Sequence, residues 1–277
     1  MKVDLHCHSH FSDGKHSPEF LLSRADHNQL THLAITDHDY VAFPLTENNS
    51  SVNLIPGVEI SCLWEEVEIH VVGLLIDPAN QPLQDLLLTQ QQKRQHRIAK
   101  IDQLLKELEM TGLWRHLEEL NCTSYTRSHV ADFLVEKGLC KNRKRAFGTY
   151  LGRRGKLYIE PHWCGITDAV KAINDSGGIA VLAHPGRYPL GKNKLRRLLT
   201  EFSECGGEAL EVCYANIDRS TRDRLSRLCL SFELWASMGS DFHDSSAHWT
   251  DVGKFPVLPE LLLNTAIWLH PKWLTGN

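Results

Sequence analysis

The sequence lacks the features that mark membrane and secreted proteins. No apolar stretch reaches the roughly 20 residues that a membrane-spanning helix requires, and the first residues enter a charged segment without an apolar signal run. The eight cysteines include no CxxC pair and follow no regular spacing, so we expect reduced thiols rather than a disulfide framework. These absences predict an unanchored, cytoplasmic protein.

A strong excess of charge of either sign is also missing. The formal net charge is -4 over 277 residues, which argues against a protein that coats nucleic acid through bulk electrostatics. Any contact with a polyanion must therefore be local. A hydrophobic content of 42% suffices for one sizeable core with a modest insertion, so we expect one or two domains.

Short apolar runs rich in β-branched residues recur along the chain and predict strands. They cover residues 3–8, 33–37, 54–62, 69–76, 179–184, 209–214 and 236–241. Helical patterns lie between several of these runs, for example after the cap residue Ser17 with Pro18 at the first helical position, and over residues 167–176. This alternation predicts a parallel, barrel-like α/β architecture.

A helical insertion interrupts that alternation. Residues 86–109 have a long polar helical pattern, and shorter helical patterns follow without a convincing strand. We therefore predict a barrel formed by residues 1–76 and 162–277 and an insertion formed by residues 77–161. Within the insertion, residues 141–156 contain seven basic and no acidic residues, together with Phe147 and Tyr150. Taken alone, this only dense basic stretch fits a solvated helix face equally well.

Histidine is the residue type in excess, with sixteen in the chain. In the first predicted strand, a period of two places Asp4, His6 and His8 on one face. Two imidazoles can then share a metal site, and Asp4 is a candidate to fix the tautomer of a ligand histidine. Cys7 faces the other way and is interpreted as a small buried hydrophobe.

The same kind of residue stands at other strand ends. Asp241 and His243 share a face after one strand, and His38 lies between two aspartates after another. The carboxyl ends of barrel strands are where catalytic residues gather. Glu59, His70 and His184 are further ionisable residues in strongly apolar runs; their sequence contexts are Gly57-Val58-Glu59, Ile69-His70-Val71 and Ala183-His184-Pro185.

Any one of these histidines is more often a hydrogen-bonded core residue than a ligand. Their repetition at six strands favours a metal centre, because burying so many ionisable groups without a partner is costly. Nitrogen and carboxylate ligands without cysteine favour Mn²⁺, Fe²⁺ or Zn²⁺, and the set exceeds what one tetrahedral zinc site uses. The sequence therefore predicts a multinuclear centre.

Taken in order, these motifs resemble the polymerase and histidinol phosphatase (PHP) superfamily. Its pattern of DxHxHSxxSDG, TDH, GxE, a strand histidine, AHP and SDxH is present here over nearly the whole chain. The resemblance implies an α/β fold, a distorted (β/α)7 PHP barrel, that holds three divalent metal ions, with Mn²⁺ the first choice. The ligands that it implies are His6, His8, Asp13, His38, Glu59, His70, His184, Asp241 and His243.

The resemblance also implies roles within that set. Asp13, His38, Glu59, His184 and His243 are assigned as catalytic, with Glu59 the bridging carboxylate. The remaining histidines are assigned to surface or structural roles; they are His10, His16, His27, His32, His96, His116, His162, His248 and His270.

Within the superfamily, the insertion and the segments around Thr126-Arg127-Ser128-His129 and Ala183-His184-Pro185-Gly186-Arg187-Tyr188 resemble the branch that contains RNase AM. That branch implies a 5′ to 3′ exoribonuclease that releases nucleoside 5′-monophosphates from 5′-phosphorylated RNA or short oligonucleotides. It also implies a 3′-phosphatase acting on nucleoside 3′,5′-bisphosphates, and a role in maturing ribosomal RNA 5′ ends. No membrane and no obligate protein partner is expected.

Both activities require a pocket for a second phosphate. Arg127, His129 and Arg187 are the candidates to bind it, since guanidinium groups bind phosphate in bidentate fashion; Arg127 could instead only brace the insertion. A single strand leaving the pocket could follow residues 141–156, with Phe147 or Tyr150 stacking on bases, although either ring could pack the core of the insertion.

Two other functions compete with this interpretation. A small-molecule phosphatase of the histidinol phosphate type would use the same centre without a nucleotide-sized groove. A non-catalytic PHP module that stabilises a partner would tolerate lost ligands, whereas all nine positions here hold residues able to bind a metal.

Overall fold

The computed structural model describes residues 1–43 and 50–275, and the following elements lie within those ranges. The strands are β1 (Val3–Cys7), β2 (His32–Ile35), β3 (Asn53–Trp64), β4 (Val67–Leu74), β5 (Cys164–Gly165), β6 (Ile179–Leu182), β7 (Ala209–Cys213) and β8 (Trp235–Met238). The α-helices are α1 (Pro18–His27), α2 (Gln81–Glu107), α3 (Leu113–Glu118), α4 (Arg127–Glu136), α5 (Arg143–Ala146), α6 (Ile166–Asp175), α7 (Lys192–Glu204), α8 (Arg219–Ser231) and α9 (Pro271–Thr275). A π-helical turn, Phe147–Leu151, follows α5, and short 3-10 turns cover Pro185–Arg187, Glu260–Thr265 and Ile267–Leu269.

The strands form one sheet that curls into a nearly closed barrel. Their order is β1-β2-β3-β4-β6-β7-β8, and the short strand β5 pairs with β3 outside that sequence. The segment after β8 returns to β1, where the His8 amide donates to Phe242 O at 2.9 Å and the Asp241 amide donates to His6 O at 2.7 Å. Helices surround this sheet, so the predicted distorted α/β barrel of seven strands is confirmed.

The expectation of an all-parallel sheet is wrong at β4. This strand runs antiparallel to both β3 and β6, whereas the other pairs are parallel. The reason is the connection, because only Glu65 and Glu66 separate β3 from β4. Both have positive φ, 43° and 64°, which is the geometry of a two-residue hairpin turn. A parallel crossover needs a dozen residues or more.

The predicted start of α1 is confirmed by its cap, whereas α2 begins earlier than predicted. The Ser17 hydroxyl accepts from the Phe20 amide at the start of α1, and the Asn80 side chain accepts from the Leu83 amide at the start of α2. Helix α2 therefore begins five residues before the periodic pattern that predicted it. No described helix is long and apolar enough to cross a bilayer. The cytoplasmic location stays a prediction.

The molecule has a barrel core and a separate core in the insertion. Leu83 and Leu87, in the first half of α2, pack against the barrel. Ile98, Ile101 and Leu105, further along the same helix, belong to a second apolar cluster that the helices up to residue 157 complete. One helix thus anchors the inserted region to the barrel. The exact domain boundaries, after residues 76 and 161, stay a prediction.

Candidate metal centre

Strand β1 delivers two histidines to the inside of the barrel. His6 and His8 are 1% and 0% exposed, and their Nε2 atoms lie 3.2 Å apart. Strand alternation therefore brings both rings to one site, as the sequence predicts. Cys7 is buried, and its thiol contacts the Ala34 carbonyl oxygen at 3.4 Å, which fits a small hydrophobe rather than a ligand.

All nine predicted ligands converge on this site. Their nitrogen and oxygen atoms form four overlapping groups, and within each group all ligand atoms lie within 4.8 Å of one another. The groups are His8, Asp13, His38 and His243; His6, His8 and Asp241; His6, Glu59 and His184; and His38, Glu59 and His70. Shared members link the four groups into one cluster, and no such group in the described residues contains any of the other histidines.

Glu59 lies at the middle of the cluster and is fully buried. Its Oε1 is 2.9 Å from His184 Nε2, 3.0 Å from His70 Nδ1 and 3.2 Å from His6 Nε2. Its Oε2 is 3.0 Å from His38 Nδ1 and 3.4 Å from His8 Nε2. The two oxygens therefore face different sets of imidazoles, which is what a carboxylate that bridges two metal ions must do.

Asp13 and Asp241 complete the other side of the cluster. Asp13 Oδ1 is 3.2 Å from His243 Nε2 and 3.6 Å from His38 Nε2. Asp241 Oδ1 is 3.2 Å from His8 Nε2. Each of these two carboxylates thus shares a histidine neighbour with Glu59, His38 for Asp13 and His8 for Asp241.

The protonation of the cluster suits divalent cations. Burial opposes ionisation of the three acids, but several neighbouring charges and hydrogen bonds together outweigh it and hold the pKa values of Asp13, Glu59 and Asp241 well below their usual range. The largest lowering contribution comes from His243, His70 and Arg187, respectively. Burial, followed by the neighbouring His243, lowers the pKa of His8 to about 3. The carboxylates are therefore anionic and the His8 ring is neutral at physiological pH, which are the forms that bind metals.

Several buried polar atoms of the cluster have no hydrogen bond of suitable geometry, although three of them lie 3.0 to 3.2 Å from an imidazole or carboxylate atom. They are Asp13 Oδ1, His38 Nδ1, Glu59 Oε2 and His184 Nδ1. Buried polar groups are almost always paired, and here four orphaned atoms lie in one cluster of nitrogen and oxygen donors without cysteine. The residues present therefore fit a site for hard or borderline divalent metals.

The backbone is strained where two ligands enter the site. His184 has φ 29° and Asp241 has φ 49°, a region that residues other than glycine rarely adopt. Each follows the carboxyl end of a parallel strand, β6 and β8. Strain of this kind clusters at functional sites, where the surrounding structure maintains it.

Glu211 was not identified from the sequence, although it orients two ligands. Its Oε1 lies 3.1 Å from His6 Nδ1, and its Oε2 accepts from the His184 amide at 2.6 Å. The prediction that Asp4 fixes a histidine tautomer is wrong, because its carboxylate accepts from the amides of Ser240 and Gly253 instead. In the sequence, Glu211 can be recognised as a charged residue inside the apolar run of β7.

Asp37 also acts from outside the ligand set. It accepts hydrogen bonds from the amide and hydroxyl of both Ser9 and Ser12, at 2.5 to 3.2 Å. These bonds fold the turn after β1 that carries Asp13. The two serines of the DxHxHSxxSDG motif therefore position a ligand.

Arg127 lies at a small cavity beside the cluster. The cavity, of about 150 Å³, is lined by the ligands Asp13, His38 and His70 on one side and by arginines on the other. Arg127 Nη2 donates to Glu68 Oε2 at 2.6 Å, and Arg97 Nη1 donates to Glu68 Oε1 at 3.1 Å. Glu68 thus holds two guanidinium groups at the cavity, and Arg97 was missed in the sequence because it lies in a long polar helix.

Arg97 is 6% exposed, and its Nε and Nη2 atoms have no hydrogen-bond partner. Burial lowers its pKa despite the adjacent Glu68. A buried guanidinium with unused donors is well suited to contact an anion that enters the cavity.

His129 does not line that cavity. Its Nδ1 accepts from the Thr126 amide at 3.0 Å in a capping box at the start of α4, and its Nε2 lies 3.0 Å from the Ser12 carbonyl oxygen. Both ring nitrogens are therefore engaged in holding α4 to the turn after β1. We assign His129 to positioning that turn rather than to contact with phosphate.

Arg187 lies on the opposite side of the cluster. Its Nη1 forms an ion pair with Asp241 Oδ2, and the residue lines an open groove of about 940 Å³ together with Asp241, His243 and Trp249. The cluster therefore lies between a small arginine-lined cavity and a large groove. Arg187 does not line the small cavity, and its predicted contact with the second phosphate stays a prediction.

The basic stretch 141–156 is only partly available to a ligand. Phe147 and Tyr150 pack against the second apolar core, and Arg143 and Arg153 are paired with Asp132 and Glu66. Tyr150 is thus part of the insertion's packing, whereas Phe147 also lines the small cavity, with Arg127 5.8 Å from its ring. The prediction of base stacking here stays untested.

Comparisons with known proteins agree with this geometry. The chain is 41% identical to "5'-3' exoribonuclease Rnm" of Salmonella typhimurium over 92% of its length and 89% of that protein. It is 33% identical to "3',5'-nucleoside bisphosphate phosphatase" of Chromobacterium violaceum, over 94% of its length and 93% of that protein. One solved structure is described as an amidohydrolase from Chromobacterium violaceum with bound sulfate and no metal. It superposes on this chain with a TM-score of 0.89 at 32% identity, and the match covers 97% of this chain and 95% of that one.

A family model agrees with both relatives and with the nine converging side chains. The model, described as "PHP domain", matches residues 4–160, which is more than half of the chain. The chain therefore belongs to the PHP domain family.

Proposed function

We propose that the cluster binds three divalent metal ions, Mn²⁺ before Fe²⁺ or Zn²⁺, through His6, His8, Asp13, His38, Glu59, His70, His184, Asp241 and His243. Four overlapping donor groups and four orphaned buried atoms support more than one ion. Oxygen and nitrogen donors without a thiolate support the choice of metals. Within the set, Asp13, His38, Glu59, His184 and His243 are assigned to catalysis.

Divalent cations in such a site supply a nucleophile from water at neutral pH and neutralise charge that develops on a phosphoryl group. The residues of the chain hold the reactants in place. Glu211 and Asp37 fix the orientation of ligand histidines and of the turn carrying Asp13. Arg187, paired with Asp241, is positioned to contact the phosphoryl oxygens on the side of the open groove.

On this centre we propose a 5′ to 3′ exoribonuclease that also removes the 3′-phosphate of nucleoside 3′,5′-bisphosphates. The observation that carries the proposal is the small cavity beside the ligands. At about 150 Å³ it is well below the roughly 300 Å³ at which pockets for whole small molecules begin, yet Arg97 and Arg127 line it. It suits a terminal phosphate whose neighbouring ester bond lies at the metals.

One geometry then accounts for both reactions, because each breaks the bond between phosphorus and a 3′ oxygen while a 5′-phosphate occupies the cavity. Release of a nucleoside 5′-monophosphate leaves a new 5′-phosphate, so the shortened RNA is again a substrate. The names of two relatives, an exoribonuclease and a bisphosphate phosphatase, support the same pair of substrates. Maturation of ribosomal RNA 5′ ends in the cytoplasm, with the 77–161 insertion as substrate-binding domain, is the corresponding cellular role.

The first experiment follows products by chromatography after manganese-loaded protein is incubated with a short 5′-phosphorylated RNA. Stepwise release of nucleoside 5′-monophosphates is expected, with slow release from 5′-hydroxyl RNA. His8→Ala serves as the inactive control because it removes a ligand shared by two donor groups.

Intact RNA together with rapid hydrolysis of histidinol phosphate would contradict the nuclease and favour the small-molecule phosphatase. Inactivity on every phosphoester, despite bound metal, would favour the non-catalytic module. The presence of all nine ligands in one cluster counts against that last function.

A further inference from the structure

We infer that the groove between α7 and α8 binds the sugar-phosphate backbone of the RNA strand beyond the reacting nucleotide. This inference rests on the proposed exoribonuclease and names the surface that would bind the rest of its substrate. The groove has a volume of about 750 Å³ and is lined by Lys192, Leu195, Arg196, Ser220, Thr221, Asp223, Arg224, Arg227, Leu228 and Ser231. It lies outside the metal cluster and shares no residue with it.

The charge of the groove is the first argument. Four cations, Lys192, Arg196, Arg224 and Arg227, line it against a single carboxylate, Asp223. Among the described residues none of these four has a carboxylate within ion-pair distance, whereas Asp223 lies 3.9 Å from Arg219 Nε. In a chain of net charge -4, a groove with unpaired cations marks a local site for a polyanion.

The donors of the groove are also unused. Arg224 is partly buried, and its Nε has no hydrogen-bond partner in the structure. Lys192, Arg196 and Arg227 are exposed. Single-strand binding combines such cations along a backbone with apolar surfaces for the sugars and bases, which Leu195 and Leu228 provide here.

The position of the groove is the second argument, because it starts beside the metal centre. The turn Pro185–Arg187 directly follows the ligand His184 and packs on the start of α8. The approach is so close that a Cβ atom on Gly186 would lie 2.5 Å from Thr221 Cγ2. Thr221, which lines the groove, therefore lies beside the residue two positions after the ligand His184.

Other basic surfaces near the centre are less available. In the 940 Å³ groove, Lys15 and Arg143 share one carboxylate, Asp132, and Arg187 pairs with Asp241, so that Lys144 is the lining cation without an ion pair among the described residues. Cations already paired with carboxylates contribute less to the release of counterions from a nucleic acid. The α7–α8 groove is thus the cationic surface best able to bind phosphates beyond the first nucleotides.

The test measures binding and turnover with a double variant, Arg196→Gln with Arg227→Gln, which changes two exposed side chains. Binding of a 3′-labelled single-stranded RNA of about ten nucleotides is followed by fluorescence anisotropy in the presence of a chelator, over a range of salt concentrations. We expect several-fold weaker binding at low salt, and a salt dependence of log Kd that is flatter by roughly 1.4, which corresponds to two lost phosphate contacts. KM for a nucleoside 3′,5′-bisphosphate should not change.

The matched control is Arg115→Gln with Lys171→Gln, which alters net charge equally at exposed positions outside the groove. Equal weakening in both double variants, or unchanged RNA binding in the groove variant, would overturn the inference. A further double variant, Lys144→Gln with Arg145→Gln, tests the 141–156 stretch. If only this variant weakens RNA binding, the strand binds along residues 141–156 instead of the α7–α8 groove. In the presence of chelator the assay measures RNA binding without turnover. If the metal-loaded wild type failed to degrade RNA, the proposed function would be rejected, and the binding measurement would still test the groove.

Discussion

At the scale of single residues, Glu59 is the carboxylate around which the cluster is organised, since five imidazoles lie within 3.4 Å of its two oxygens. Glu59→Gln keeps the shape of the side chain but replaces one carboxylate oxygen by an NH2 group, which cannot bind a cation. We expect bound metal, measured by elemental analysis after loading, to fall by at least one ion per chain. Turnover should fall by more than the roughly 10–100-fold that changes around a metal site typically cause.

Glu208→Gln is the matched control for that experiment. Glu208 lies just before the start of β7 and bonds His270 and Lys272 rather than any ligand. Its variant should keep its metal content, and an equal loss of metal in both variants would argue against a bridging role for Glu59.

The burial of His129 leads to a prediction about how stability depends on pH. Burial lowers its pKa from 6.5 to about 4, so folding favours the neutral ring. The stabilisation is complete above pH 6.5 and is lost as the pH falls towards 4, by up to roughly 3 kcal/mol. His129→Gln can keep the capping box, in which glutamine is a usual partner, and cannot titrate.

Urea denaturation of the metal-free protein at pH 7 and pH 4.5 measures this contribution as a difference between wild type and variant. The variant should be within about 1 kcal/mol of wild type at pH 7 and should lose less stability on acidification. Parallel pH dependence in both proteins would show that His129 is already accessible to protons in the folded state.

A substitution at Arg127 distinguishes binding of phosphate by this residue from a purely structural role in holding the insertion. Arg127→Ala should raise KM for a 5′-phosphorylated RNA by about tenfold or more, because a charge-assisted contact contributes roughly 1.5–3 kcal/mol. KM for a generic aryl phosphate, which leaves the small cavity empty, should change little. Equal effects on both substrates would mean that Arg127 only maintains the insertion through Glu68.

At the scale of elements, a buried ion pair joins the insertion to the strand that carries Glu59. Arg94 of α2 donates to Asp39 Oδ2 at 2.5 and 2.8 Å and to Ser61 Oγ at 2.7 Å. The Asp39 amide in turn donates to the Glu59 carbonyl oxygen at 2.9 Å. The orientation of α2 and the position of the ligand Glu59 are thereby linked.

Arg94→Met leaves Asp39 buried without its partner, so we expect the free energy of unfolding to fall by about 3–5 kcal/mol. Urea denaturation measures this loss. Arg115→Met, which breaks an exposed pair with Glu119, should cost at most about 1 kcal/mol. A similarly small loss for Arg94→Met would mean that water reaches Asp39 and that the link is weak.

The elements that the sequence predicted well are those whose signal is local. Strand periodicity predicted the location of β1 and its two histidines, and the cap residue Ser17 predicted the start of α1, whereas α2 begins five residues before the pattern that predicted it. The hairpin between β3 and β4 was missed because two glutamates at positive φ are unusual turn residues. Glu211 was missed because a single acid in an apolar strand does not reveal which imidazole it will meet.

The α7–α8 groove is a further feature that could not be predicted from the sequence. Residues 141–156 stand out as the dense basic stretch in the sequence, yet two of its cations, Arg143 and Arg153, are paired in the structure. The cations of the groove are spaced by helical periodicity on two helices. Only the packing of those helices brings them to one surface.

At the scale of the whole molecule, metal binding should stabilise the fold, because nine nitrogen- and oxygen-bearing side chains are held close together in one cluster before any ion is bound. At a metal concentration of 100 times Kd, the stabilisation is about 2.7 kcal/mol per ion. For a chain of this size we expect Tm to rise by about 5–10 °C for each ion bound. Thermal scans with and without chelator measure it, and His8→Ala should show a smaller rise.

The closure of the barrel between β1 and the segment after β8 also has a consequence for synthesis on the ribosome. His6 emerges 235 residues before Asp241, the backbone partner that closes the sheet beside it. Until then the amino-terminal histidines have neither their neighbouring strand segment nor the last two ligands. A nascent or truncated chain therefore cannot assemble the complete centre, and hydrolytic activity is withheld until translation has passed His243.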